Sequence, residues 1–160
     1  MEYLFLKRKK STAVSKRQKR MLLEAAEQEW KELLVDKGGC ERKMDGEIYK
    51  CLLYLLEIKQ IFLDSKLSLK KIAAMIQTNQ TYISNVVNKY FKCNLKGLVN
   101  SYRIEYAKEL LCAEKVSLRE LHKKCGFASR STFYAAFDRI VGMSPSEYLM
   151  QAYEEQGRGK

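Results

Sequence analysis

The chain has 160 residues, 46% of them hydrophobic, so it can bury one ordinary core or two small ones. Its 30 lysines and arginines against 19 acidic residues give a formal net charge of +11, which favours nucleic acid or an anionic membrane surface as partner. A single proline leaves long stretches free for helices, and the five cysteines form no CxxC pair, so we expect reduced thiols, no metal and no cofactor.

The first 46 residues differ in composition from the rest of the chain. Residues 1–20 include eight lysines and arginines and one acid, and their four consecutive apolar residues cannot span a bilayer. No cleavage site for a secretory signal follows them. Residues 21–35 predict an amphipathic helix, which we expect to pack on the domain or to form a weak homodimer. Its narrow apolar stripe consists of Leu22, Ala26, Trp30 and Leu33.

A dense helical pattern begins at Glu47. Apolar residues recur over a broad face as far as Phe62, which predicts a single helix across this stretch. The residues on that face are Ile48, Cys51, Leu52, Leu55, Leu56 and Phe62. We therefore place the start of the main domain at residue 47 and its end near residue 153, with residues 154–160 as a tail.

The main domain contains one pattern twice. Ser68 precedes a short apolar helical pattern, and 49 residues later Ser117 precedes another. Each is followed by a turn and a longer helix with apolar residues at i, i+3, i+4, i+7 and i+8, such as Phe133 and Phe137 in the second copy. The chain thus predicts two helix-turn-helix units, at about 67–91 and 117–141.

The outward faces of the two longer helices are small and polar, as a major groove requires. A polar solvent-facing surface is also normal in a helical bundle, so the face alone is weak evidence. The duplicated turn combined with the net charge is stronger. Outward positions of the first unit are Thr81, Ser84, Asn85, Asn88 and Lys89, and those of the second are Arg130, Ser131, Tyr134, Ala135, Asp138 and Arg139.

Residues 94–112 predict a long helix between the units, with apolar side chains on more than one side. Its length of about 27 Å, at 1.5 Å per residue, is close to the ~34 Å between successive major grooves on one face of DNA. A monomer could therefore read both grooves.

His122 and Cys125 form the most plausible catalytic pair in the sequence. Both lie beside a turn with no third group nearby to orient them, so we expect no nucleophilic catalysis and no enzyme activity.

The domain resembles the C-terminal DNA-binding domain of AraC/XylS-type bacterial transcription regulators, over about residues 48–153. Segments that match the family are LSLKKIAAMIQTNQTYISNVVNKYF (67–91), YRIEYAKELL (102–111), SLRELHKKCGF (117–127) and STFYAAFDRIVGMSPSEYL (131–149). The Gly126-Phe127 pair, Phe133, Phe137, Gly142 and Ser144-Pro145 all stand where the family has them.

The resemblance implies an all-α, homeodomain-like fold of seven helices, with two helix-turn-helix subdomains joined by a long linker helix. It implies sequence-specific binding to double-stranded promoter DNA and recruitment or blocking of RNA polymerase. Arg103 matches the family's linker-helix arginine, which we interpret as structural. The candidate DNA contacts are Thr81, Tyr82, Ser84, Asn85, Asn88 and Lys89 in the first unit, and Arg130, Ser131, Thr132 and Tyr134 in the second.

Three positions depart from the family pattern. His122 replaces a usual small alanine, whereas Ala73 keeps it in the first unit. Ala135 stands where an arginine is common, and Asp138 adds a negative charge on the side expected to face DNA. These two residues weaken base recognition by the second unit, so we expect the first unit to supply most of the specificity.

Residues 1–45 do not resemble the family's usual sugar-binding barrel, so we expect no small-molecule effector site in this chain. They resemble the juxtamembrane segment of membrane-spanning hybrid regulators of Bacteroidetes-type bacteria. On that interpretation the chain is the cytoplasmic part of a regulator anchored in the inner membrane. The alternative is a free-standing cytoplasmic regulator that begins at Met1.

Two other functions share some of these features. A nonspecific nucleoid or nucleic-acid-binding protein would have the same charge but would discriminate little between sequences. A helical protein-interaction module would use the helix at 21–35 and the apolar linker helix to contact partners. Specific binding that survives an excess of bulk DNA at physiological salt would separate the leading interpretation from both.

Overall fold

The computed structural model describes residues 45–113 and 117–157, and all regular structure in these ranges is helical. Between the first two α-helices lie a π-helical turn, Tyr54–Ile58, and a 3₁₀ turn, Ile61–Leu63. The α-helices are α1 (Asp45–Leu53), α2 (Leu69–Ile76), α3 (Gln80–Phe91), α4 (Leu95–Cys112), α5 (Leu118–Lys124), α6 (Arg130–Val141) and α7 (Pro145–Gly157). The predicted all-α class with two helix-turn-helix units is confirmed. The basic tail, the helix at 21–35 and its dimer contact lie outside the described residues.

The continuous helix predicted from Glu47 to Phe62 is wrong. The α-helix ends at Leu53, and the next turn is π-helical, with the Lys59 N–H donating to the Tyr54 carbonyl at 3.1 Å. Gln60 then adopts a left-handed conformation with φ of 51°, which stops the helix. The sequence has no glycine or proline at this break, and apolar residues recur on both sides of it. The pattern therefore predicted one continuous helix.

The described residues form two compact units, and the first consists of residues 45–60 and 68–95. Within it, α1 and α2 both pack against α3. The core is aliphatic, with side chains that repeat at helical spacing on each element. Its fully buried members are Ile48, Leu52, Leu56, Ile72, Ile76, Ile83, Val86 and Val87.

The second unit consists of residues 61–67 and 96–157, apart from 114–116. Its core is more aromatic. Phe133 contacts Phe127 and Phe137 edge-on at ring-centroid distances of 5.3 and 5.7 Å, and Phe137 in turn contacts Tyr148 of α7 at 5.7 Å. These rings fix α6 and α7 against each other, because edge-on aromatic pairs add directional contact to the buried area.

Helix α4 has 18 residues, and its buried side chains lie on more than one side, as the sequence pattern predicted. Apart from Leu95, the helix belongs to the second unit. Its buried residues are Leu98, Val99, Asn100, Tyr102, Arg103, Ile104, Ala107 and Leu111. Within residues 45–113 and 117–157, no helix combines the length and apolar character needed to cross a membrane.

Candidate nucleic-acid interface

The turn of the first helix-turn-helix unit is closed at both ends by local hydrogen bonds. The Thr78 N–H donates to the Ala73 carbonyl at 3.0 Å and the Gln77 N–H to the Ala74 carbonyl at 3.3 Å, which together form a Schellman motif. Gln77 is left-handed at this point, with φ of 58°. The Asn79 side chain then caps α3 by accepting the Tyr82 N–H at 2.9 Å.

The second unit repeats this construction. The Phe127 N–H donates to the His122 carbonyl at 2.9 Å and the Gly126 N–H to the Lys123 carbonyl at 3.1 Å. Ser129 caps α6 by accepting the Thr132 N–H at 3.2 Å. The second turn has one more residue than the first between its left-handed residue and the N-cap of the next helix. The offset between matching residues of the two units is therefore 49 before the turn and 50 after it.

Helix α3 separates an apolar face from a polar face. Ile83, Val86 and Val87 are fully buried. Every predicted contact residue on this helix is exposed or half-buried, and none belongs to the core. Thr81, Asn85, Asn88 and Lys89 are exposed, and Tyr82 and Ser84 are half-buried. The helix therefore presents hydroxyl and amide groups along one accessible face.

Helix α6 has the same division, with Phe133 and Phe137 buried. Arg130, Ser131 and Thr132 are exposed. Part of its polar face is nevertheless engaged at the helix start, because Ser129 Oγ lies 2.8 Å from Thr132 Oγ1 and 3.3 Å from Ser131 Oγ. Ser129, Ser131 and Thr132 thus form a cluster of hydroxyls at the helix cap, the cap cluster. Ser131 and Thr132, both predicted to contact DNA, belong to it as well as to the outward surface.

Lys89 forms an ion pair that the sequence did not predict. Its Nζ lies 2.7 Å from Oδ2 of Asp45, at the start of α1. The hydrogen bond that Lys89 donates to Asp45, and then the charge of that carboxylate, raise the pKa of Lys89. Nearby, Tyr49 of α1 stacks on Tyr90 with ring centroids 4.6 Å apart. Lys89 is therefore charged and held next to α1 while its side chain stays largely accessible.

Arg130 and Tyr134 also form a contact that spacing alone did not indicate. The Arg130 guanidinium lies over the Tyr134 ring, 5.1 Å from its centroid, and Nη2 donates to the phenol oxygen at 3.1 Å. They stand at i and i+4, so they share one face of α6. Both were predicted as DNA contacts, and the structure brings these two together.

Arg103 is a structural residue, as the family resemblance implied. It is 9% exposed, and its Nε donates to the Phe62 carbonyl at 2.7 Å while Nη2 donates to the Asp64 carbonyl at 2.8 Å. Its guanidinium also lies over the Phe127 ring, 5.3 Å from the centroid. Burial lowers its pKa, but an arginine so lowered is still charged at neutral pH. Arg103 thereby ties residues 61–67 into the second unit.

Cys125 and His122 lack the features of a catalytic pair. The Cys125 thiol is fully buried, and burial raises its pKa to about 12, so it is protonated and unreactive at neutral pH. His122 is half-buried, and its Nδ1 has no hydrogen-bond partner among the described residues. Of the other described thiols, Cys51 is buried, Cys93 half-buried and Cys112 exposed. Within the described ranges no three His, Cys, Asp or Glu side chains are grouped as a metal site would require.

Taken together, each unit presents one exposed polar helix face on a buried hydrophobic base. Hydroxyl, amide and guanidinium groups can hydrogen-bond base edges, and exposed lysines and arginines can pair with phosphates. Further cations lie on the first helix of each unit, at Lys70, Lys71, Arg119, Lys123 and Lys124. These cations were not among the residues predicted to contact DNA, although their clustering is visible in the sequence.

A family model described as a helix-turn-helix domain matches residues 72–151, half of the chain. The melibiose operon regulatory protein of Escherichia coli (strain K12) is 28% identical over 85 residues, which are 53% of this chain and 28% of that protein. Regulatory protein PocR of Salmonella typhimurium (strain LT2) is 27% identical over 110 residues, 69% of this chain and 35% of that protein. The chain thus spans roughly a third of the length of these regulators.

Solved structures show the same fold at low sequence identity. The C-terminal domain of AraT, a response regulator from Geobacillus stearothermophilus, has a TM-score of 0.60 at 22% identity and covers 69% of this chain and 88% of its own. The DNA-binding domain of the global transcriptional factor AdpA, solved with a target DNA, has a TM-score of 0.62 at 18% identity and covers 71% of this chain and 98% of its own. With the family match, these findings show that the chain belongs to the AraC/XylS-type family of transcription-regulator DNA-binding domains.

Proposed function

We propose that this chain is a sequence-specific regulator of transcription that reads two successive major grooves of promoter DNA, one with each helix-turn-helix unit. The observation that supports this most directly is the repeated turn geometry. Both units close with a Schellman motif and a side-chain N-cap, and each then presents a 12-residue helix with one accessible polar face. Such a helix fits a major groove.

The first unit supplies most of the sequence specificity on this proposal. Its helix presents Asn85 and Asn88, whose amides can each bond an adenine at two atoms. At matching places the second unit has Ala135 and Asp138, which can contribute at most a methyl contact and a repulsive charge toward phosphates. The second unit then acts mainly as a phosphate anchor, with Arg130 as its principal base contact.

The AdpA domain was solved with a target DNA, and the major groove that this proposal invokes exists in double-stranded DNA, so duplex DNA is the ligand to test. Sequences should be selected from a random duplex library by the full chain, and affinity for the selected duplex compared with affinity for bulk DNA at physiological salt. We expect binding to the selected site to survive a large excess of bulk DNA. Equal competition by bulk DNA would instead support a nonspecific nucleic-acid-binding protein.

The remaining expectations concern the whole regulator. We propose that RNA polymerase is its partner at the promoter and that no small-molecule effector binds this chain. A cytoplasmic location, with or without an inner-membrane anchor, follows from action on promoter DNA. A homodimer through residues 21–35 would appear in sedimentation as more dimer for residues 1–160 than for residues 46–160. A chain that binds no DNA but retains partner proteins would favour the interaction-module alternative.

A further inference from the structure

The contact between Arg130 and Tyr134 restricts an arginine on the outward face of α6. Its guanidinium is held in two ways, over the ring at 5.1 Å from the centroid and by the 3.1 Å hydrogen bond to the phenol oxygen. An unrestrained arginine loses side-chain entropy when it binds a base. Here part of that ordering has already occurred in the free protein.

Tyr134 is itself fixed by the core of the second unit. It is half-buried and packs against the buried cluster, and its ring meets that of Phe133 edge-on, with centroids 5.6 Å apart and planes at 88°. Phe133 is fully buried. The orientation of the Arg130 guanidinium is therefore linked through one aromatic ring to the hydrophobic core.

Other polar groups on this face are less suited to base recognition. The hydroxyls of Ser131 and Thr132 lie within hydrogen-bonding distance of Ser129 Oγ in the cap cluster. By contrast, a guanidinium has five N–H donors, and the bond to Tyr134 uses one of them. Guanine presents two adjacent acceptors, O6 and N7, that match the arginine fork.

We propose that Arg130 recognises a guanine in the major groove and that Tyr134 acts as its positioning residue. The inference rests on the proposed function, and it adds the base that the second unit reads and the side chain that orients the reading group. Its distinctive consequence is that the effects of substituting the two residues depend on each other. Loss of Tyr134 should reduce the preference for guanine only while Arg130 is present.

Arg139 provides a matched control on the same helix. Its side chain is exposed, and within the described part of the chain that side chain takes part in no hydrogen bond, ion pair or ring contact. Arg139→Ala removes the same charge as Arg130→Ala without disturbing the aromatic contact. It should weaken binding to all duplexes alike, because a phosphate contact is insensitive to sequence.

The test uses the full chain and the duplex that it selects from a random library, together with duplexes in which each guanine is replaced in turn. For one guanine we expect the unmodified chain to discriminate by about ten- to a hundredfold, as a two-bonded arginine contact does. Arg130→Ala should abolish that preference, and Arg130→Lys should lose most of it because lysine lacks the planar fork. Tyr134→Leu should reduce it about two- to fivefold, the magnitude of an exposed cation–π contact, whereas Tyr134→Phe should retain most of it.

Four outcomes would count against this proposal. If no guanine is sensitive to Arg130 although the chain selects a sequence, the inference fails and the proposed function stands. If the chain selects no sequence, both fail. If Tyr134→Leu weakens every duplex equally, its role is only structural. If the effects of Tyr134→Leu and Arg130→Ala add in the double variant, Tyr134 contacts DNA independently. Circular dichroism checks folding, and Tyr134→Met replaces Tyr134→Leu if the leucine variant is unfolded.

Discussion

Gly126 offers a quantitative test of how the second helix-turn-helix is built. Its φ of 76° lies in the left-handed region, and a Cβ added there would stand 2.6 Å from the carbonyl oxygens of Phe62 and Leu63. Gly142 has a similar φ of 81°, but among the described residues nothing lies within 4 Å of an added Cβ. Alanine at Gly142 therefore introduces conformational strain alone, whereas alanine at Gly126 introduces strain and a backbone clash.

The expected magnitudes follow from these two terms. A left-handed alanine costs about 1–2 kcal/mol, which is the whole expected effect of Gly142→Ala. Relief of the clash at Gly126 requires movement of residues 61–63, which adds about 1–3 kcal/mol of overpacking. The movement also disturbs the Phe62 carbonyl that accepts the Arg103 Nε at 2.7 Å. We expect Gly126→Ala to lower the free energy of unfolding by about 3–5 kcal/mol in total.

Both variants can be measured by urea and thermal unfolding followed by circular dichroism. The two variants should differ by about 1–4 kcal/mol, and a domain of roughly 100 residues loses about 4 °C of melting temperature per kcal/mol, so Gly126→Ala should melt about 4–16 °C below Gly142→Ala. Equal destabilisation by the two alanines would refute the close approach of residues 62 and 63 to Gly126. The comparison does not depend on DNA binding.

Three further predictions concern the proposed DNA interface, and fluorescence anisotropy on specific and random duplexes measures each of them. Asn85→Ala should lose discrimination at one base position by about 1–3 kcal/mol, since an amide can bond adenine at two atoms, and equal weakening on both duplexes would contradict its role as a base reader. Asp138→Asn should tighten binding on every sequence alike by removing repulsion from phosphates, so weaker binding would oppose the proposed division between units. Asp45→Asn should release Lys89 from its ion pair and free it to neutralise one more phosphate. The dependence of log affinity on log salt should then steepen by about 0.9, the slope for one phosphate. An unchanged slope would show that Lys89 does not reach DNA.

Helix boundaries marked by residues with strong conformational preferences were predictable from sequence. Glycine and serine are residue types that favour the end and the start of a helix, and Gly126 and Ser129 stand at those places. Ser144 and Glu147 have the S-x-x-E spacing of a capping box and form one, in which the Ser144 N–H donates to Glu147 at 2.7 Å and the Glu147 N–H donates to Ser144 at 3.2 Å. These signals are local, so a few neighbouring residues determine the result.

Left-handed residues other than glycine were missed. Gln60, Gln77 and Lys92 have φ between 51° and 58°, yet none belongs to a residue type that indicates such a conformation. Gln77 adopts it because the Schellman motif satisfies the last carbonyls of α2 and because the helices on either side of the turn pack together. Tertiary packing decided these turns, and periodicity in one sequence does not reveal packing.

The candidate site was predictable as a set of positions but less so as a set of contacts. Each outward residue predicted on α3 and α6 is exposed or half-buried, because helical periodicity determines which face lies away from the core. The Asp45–Lys89 pair could not be anticipated, since it joins residues 44 positions apart. Arg130 and Tyr134 stood at a recognisable i, i+4 spacing, but the rotamers that bring them together are not encoded in the spacing.

Residues 61–67 have a consequence for how this protein can be divided. In sequence they precede the first helix-turn-helix, yet they belong to the compact unit of the second, where their carbonyls accept both bonds from Arg103. The two units are therefore interleaved along the chain and do not follow one another as separable modules. A fragment cut at the start of α4 would leave a buried guanidinium without its acceptors. A chimera that exchanges the second unit between related regulators must transfer residues 61–67 along with it.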